Sequence, residues 1–195
     1  YFAFNEMPTR GAMTPAWQKQ IAILLRYLNE AGGGPKLRGV FYFTEMNLNP
    51  KNWQEDSDEF WTAINDTCDL VVGEHYHSYD FILNNDITQL AKHYFTFPQW
   101  LYKSGKKAQM EIASEKYTIL HSSFYGPTIT GWAGVQNSKQ THPELEKYFM
   151  HILQANRSNE FGKSRIAFGP LLTKEWDNQC LPVLVKVLGR EIKNY

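Results

Sequence analysis

A chain of 195 residues, 43% hydrophobic and 21% charged, has the mass and apolar content of one folded domain with a substantial core. Lys+Arg and Asp+Glu both count 20, which excludes a general electrostatic pull toward nucleic acid or acidic membrane. No apolar run is long enough to cross a bilayer, and the outlier is aromatic content, 15% with six Trp, which suits both cores and faces that stack on sugar rings.

The first segment, Tyr1 to Phe4 (YFAF), is short, apolar and aromatic, so it reads as a buried strand that exits into Asn5-Glu6 before Pro8 and Gly11 break the chain. After Pro15, Trp17, Ile21, Leu24, Leu25 and Leu28 fall on one helical face, and Gly32-Gly33-Gly34 stops that helix. Leu37 to Thr44 is a second strand, ending at Glu45, and a helix over Asp58 to Asp66 turns Phe60, Trp61 and Ile64 inward. Leu70 to Gly73 is a third strand, running into Glu74-His75-Tyr76-His77. A helical region from Asp86 to Tyr102 crosses Pro98, where a break or kink is expected. The basic run Lys103 to Lys107 reads as a solvated loop. Tyr117 to Ser123 is a fourth strand, followed by a Gly- and Pro-bearing loop to Gly134. Leu145, Tyr148, Phe149, Ile152 and Leu153 stripe another helix, Arg165 to Leu171 is a fifth strand, and Leu181 to Ile192 is a closing helix.

Strands alternating with helices predict an α/β fold with a parallel sheet and right-handed crossovers. A doubly wound sheet wants a Gly-rich phosphate turn after an early strand, but Gly32-Gly33-Gly34 follows a helix. A (β/α)8 barrel wants polar and acidic residues at successive strand exits, and Asn5-Glu6, Glu45, Glu74 to His77 and His121 supply them. About five βα units are too few to close a barrel. The expectation is therefore one domain over 1–195, a partial TIM-type (β/α)8 barrel forming the C-terminal portion of a complete one.

A strand ending in Asn5-Glu6, with His75-Tyr76-His77 two units later, resembles the fourth and sixth strands of the clan of retaining glycoside hydrolases built on (β/α)8 barrels. The resemblance implies that Asn5 holds a sugar hydroxyl, that Glu6 is the general acid/base, and that His75, Tyr76 and His77 line the sugar site. Counted from a fourth strand, the five strands run to the eighth. The clan places its nucleophilic Glu on the seventh, where this chain reads TILHSSFYGP, with His121, Ser122, Ser123 and Tyr125 and no carboxylate. The nucleophile is therefore not carried over.

Glycoside cleavage needs a proton donor for the leaving oxygen and a second carboxylate facing the developing positive charge. Glu6 is the candidate donor, since an aromatic wall of Tyr1, Phe2 and Phe4 is expected to raise its pKa. Glu74 is the preferred partner, with His75, Tyr76 and His77 around it, and Glu45 follows closely. His121, Tyr125 and Trp132 complete the expected sugar-binding set, Trp132 either as a stacking platform or as a plug for its loop. Strand alternation is taken to send only one of His75 and His77 inward. Trp17, Trp61 and Trp100 lie on helix stripes and read as core. Glu160 in SNEFG precedes its strand and falls on the wrong face. Cys68 and Cys180 read as buried thiols, with a bridge as the alternative.

The expected partner is thus an oligo- or polysaccharide, with no cofactor and no metal assigned. Two other readings stand beside it. One is a barrel without catalysis that binds carbohydrate or a partner, motivated by the seventh strand. The other is a metal-dependent enzyme in which Glu6, Glu74, one of His75 and His77, and His121 gather a divalent ion. The plainest reading makes each strand-end Glu a helix cap or a solvated ion-pair partner.

Overall fold

The structure, a computed structural model, describes residues 1–4, 13–31, 36–44, 47–53, 57–75, 77, 79–121, 144–158, 165–168 and 182–190. Its strands are β1 (Phe2–Phe4), β2 (Gly39–Phe43), β3 (Cys68–His75), β4 (Tyr117–His121) and β5 (Ile166–Phe168). Its helices are α1 (Pro15–Glu30), α2 (Asp58–Thr67), α3 (Tyr79–Asn84), α4 (Ile87–Lys103), α5 (Lys107–Glu111), α6 (Leu145–Arg157) and α7 over 182–190.

The five strands form one parallel sheet in the order β1-β2-β3-β4-β5, the α/β arrangement that the alternating pattern predicts. Register pairs Phe4 with Phe41, Phe41 with Val71 and Phe43 with Gly73, with a shift between Gly39 and Val40.

The chain divides into two compact units, one of Tyr1–Glu74, Phe95–Ile119 and Asn159–Arg165, the other of His75–Tyr94, Leu120–Ser158 and Ile166–Tyr195. In the first, Phe41 and Phe43 leave β2 on the face that the helices cover. Phe41 meets Phe60 of α2 edge-on at 5.9 Å, and Phe43 lies 5.9 Å from Trp61 and 5.2 Å from Phe97 of α4. Val40 and Tyr42 leave the other face and are only half-buried. In the second unit the core gathers Ile82, Leu90, Tyr94, Tyr148, Phe149 and Ile152, with Phe149 edge-on to Phe168 of β5 at 5.7 Å.

Local chemistry sets the helix ends. Thr14 caps α1 by accepting from the Trp17 amide, with Pro15 at its first position. Ser57 caps α2 by accepting from the Phe60 amide, and Asp58 and Glu59 face its positive end. Three expectations change. Pro98 lies inside α4 without breaking it, with Tyr94, Phe97 and Leu101 buried on the turns around it. The buried stripe of α1 is Gln18, Ile21, Ala22, Leu25 and Asn29, so it is rotated toward two polar residues and leaves Leu24 40% exposed. Trp61 is core as expected, while Trp17 and Trp100 are half-buried at its margin.

Candidate functional site

β3 is fully extended to its C-terminal end, where side chains alternate between the two sheet faces. Val71 and Gly73 follow Phe41 and Phe43 on the helix-covered face, so Leu70, Val72 and Glu74 leave the opposite one, with Val40 and Tyr42. Glu74 is 4% exposed, a carboxylate held almost out of water at the end of the third of five parallel strands. That end of a parallel strand is where α/β enzymes place their reactive groups. Asn5, Glu6, Glu45, Tyr76, Tyr125 and Trp132 lie outside the described residues.

A second set of side chains belongs to the other unit. His75 is 2% exposed and His77 7%, and their rings lie 5.9 Å apart. The expectation that only one points inward is corrected: both imidazoles are buried, and strand alternation separates residues one apart rather than two apart. His93, on α4, completes the set. Its ring stands edge-on to His77 at 4.5 Å and to His75 at 5.7 Å. The ligating nitrogens of His75, His77 and His93 all lie within 4.8 Å of one another. His121, at the end of β4, stands 6.3 Å from His75 and 4.7 Å from Tyr94, ring to ring. Its Nε2 and the Tyr94 hydroxyl are both buried and have no hydrogen-bond partner among the described residues. Phe81 of α3 lies over His77 at 4.5 Å.

Burial dominates the electrostatics of this group, because a charged imidazole loses its hydration there. It holds His75 and His121 well below the ordinary histidine range, with neighbouring imidazoles adding to the effect. His77 is pushed down to about 3 by burial and by His93. His93, exposed along part of its ring, is lowered by the burial of the remainder. All four imidazoles are therefore neutral at pH 7, the form in which one ring nitrogen carries a proton and the other a lone pair.

Of the sequence-predicted residues, His75, His77 and His121 come together, and Glu74 leaves β3 on the face opposite His75. His93 was missed. The signal was the His75-Tyr76-His77 spacing itself, which places two imidazoles two positions apart at the end of a strand, with His93 the next histidine along the chain. No protein-family model, curated protein or solved structure matches this chain.

Proposed function

We propose that the protein is a carbohydrate-active hydrolase of the (β/α)8 type, with Glu74 as one of its working carboxylates. The observation that carries this reading is the position of Glu74: 4% exposed, at the C-terminal end of the middle strand, on the face that α2 and α4 leave uncovered. Strand order supports the barrel reading. The five strands run in sequence with no reversal, as consecutive units of a barrel do, whereas a doubly wound sheet reverses at a switch point.

In this reading Glu6 donates a proton to the leaving glycosidic oxygen as the C–O bond breaks, and water then adds to the anomeric carbon, its released proton restoring the acid. Glu74 faces the positive charge that develops on the sugar ring, where a carboxylate kept out of bulk water acts most strongly. Half-buried Tyr42, on the same face of the neighbouring strand, offers an aromatic surface for a sugar ring.

The test is turnover of a panel of aryl glycosides by the unaltered chain and by Glu74→Gln, with oligosaccharide binding measured alongside. The expected result is turnover that falls by roughly 100-fold or more in the variant, in line with loss of a positioned acid or base group, while binding persists. Binding by the unaltered chain with no turnover on any glycoside makes it a sugar-binding barrel. Neither turnover nor binding ends the carbohydrate reading.

A further inference from the structure

We propose that His75, His77 and His93 bind one divalent transition-metal ion of the zinc class through their ring nitrogens, leaving one coordination position open to solvent. This site stands apart from the carbohydrate reading, and its test uses no glycoside.

Geometry is the first support. Zinc holds imidazole nitrogen at about 2.0–2.1 Å, so ligands in a tetrahedral set stand about 3.4 Å from one another. The three nitrogens already lie within 4.8 Å of one another, and small rotations about the side-chain bonds close the remainder. One ligand, His75, is the last residue of β3, the second lies two positions beyond it, and the third comes from α4, sixteen positions beyond His77. The convergence is thus made by the packing of a helix against a strand end and not by a local turn.

The donor set selects the ion. Three imidazoles without a carboxylate or thiolate among them suit zinc, copper or nickel and disfavour calcium and magnesium, which require oxygen ligands.

Access decides the type of site. Among the described residues no fourth ligand joins the trio, and His93 is exposed where His75 and His77 are buried, which gives the ion a side toward solvent. Three protein ligands with an open fourth position characterise exchangeable and catalytic zinc sites, whereas structural sites close all four.

The experiment strips the 195-residue chain with a chelator and titrates it with Zn2+ in competition with a chromophoric chelator. Co2+ is then added in a parallel sample to read ligand geometry from its visible bands. The expected result is one ion per chain, cobalt bands of four- or five-coordinate intensity, and a melting temperature raised by the ion. His93→Ala, an exposed change that leaves the core intact, is expected to weaken Zn2+ binding by 100-fold or more. His151→Ala, which removes a half-buried histidine outside the trio, is expected to leave it unchanged. Absence of saturable one-to-one uptake, binding that His93→Ala does not weaken, or equal loss in both variants overturns the proposal.

Discussion

The Tyr117 hydroxyl occupies the space that a side chain at Gly73 would need: a Cβ built there lies 2.0 Å from the Tyr117 oxygen and 2.7 Å from the ring carbon bearing it. Leu48 closes the remaining side at 3.2 Å. Gly73 also pairs with Phe43 across the sheet and immediately precedes Glu74. Close approach of a β4 ring to the β3 backbone therefore fixes the strand end that presents the candidate carboxylate. Gly73→Ala is expected to destabilise the fold by about 1–3 kcal/mol through overpacking. Adding Tyr117→Phe recovers only part of the loss, because the ring carbon stays in place. Urea unfolding of the two variants measures both effects, and an unchanged midpoint for Gly73→Ala would show that the strand end has room.

Gln18 ties the starts of two helices together. Its Nε2 donates to the Met13 carbonyl at 2.8 Å, and its Oε1 accepts from the Ser57 amide at 3.0 Å, with the side chain fully buried. Met13 lies just before α1 and Ser57 caps α2, so one amide positions both starts. Gln18→Ala leaves the buried Met13 carbonyl unsatisfied, at about 1–3 kcal/mol, and removes the acceptor of the half-buried Ser57 amide. Gln18→Glu keeps the acceptor for Ser57 but sets a buried carboxylate oxygen against the Met13 carbonyl oxygen, so its loss is expected to be the larger one near neutral pH and to shrink in acid, where the protonated group can donate to Met13. Thermal melts rank the two variants, and equal melting temperatures would remove the role assigned to the side-chain nitrogen.

Periodicity made the order of elements legible, because strand and helix patterns differ in repeat and both register directly in residue type. All five strands and the stripe of α6 were readable in this way: Leu145, Tyr148, Phe149, Ile152 and Leu153 are all buried. The face of α1 was not, since Gln18 and Asn29 are buried through hydrogen bonds to Met13 and Leu37 that apolar counting cannot register. α3 was missed altogether: at six residues, Tyr79–Asn84 is too short to display a helical repeat. At the candidate site, Glu74 was legible because a charge at the end of an apolar strand stands out. The histidine group was half legible. His75 and His77 are neighbours in sequence, but their meeting with His93 depends on how α4 packs, which no local pattern encodes.

The C-terminal end of α2 is closed by two cations. Arg38 donates to the carbonyl oxygens of Asp66 and Cys68, with its Nε also 2.8 Å from Asp69. Lys116 donates to those of Asn65 and Cys68, the latter at 3.0 Å. Cys68 is both the C-cap of α2 and the first residue of β3, so no loop residue remains to satisfy these acceptors. Replacing Lys116 by Met is expected to cost about 1–2 kcal/mol, from lost charge-assisted bonds and the helix-end interaction. Because both cations reach the Cys68 carbonyl, Lys116→Met and Arg38→Met should combine non-additively in a double-mutant cycle. Strict additivity within about 0.3 kcal/mol would show two independent contacts.

Cys68 is free and fully buried, as expected, while Cys180 lies outside the described residues. Burial pushes the Cys68 thiol up to about 11, against the opposing pull of the Thr67 hydroxyl, Lys116 and Arg38. An ordinary thiol near 8.5 is about one quarter thiolate at pH 8, so ionisation alone slows alkylation of Cys68 roughly two hundredfold, before access is considered. The same shift sets a direction for stability. The folded state favours the neutral thiol, so this contribution is complete below the unfolded pKa and is lost as pH rises from about 8.5 toward 11. In a Cys180→Ser background, the single remaining thiol should react with iodoacetamide only at the rate of unfolding at pH 8, and urea midpoints should fall between pH 8.5 and 10.5. A Cys68→Ala chain that shows the same alkaline fall would assign it to other groups. Alkylation at the free-thiol rate while circular dichroism still reports a folded chain would place Cys68 at the surface.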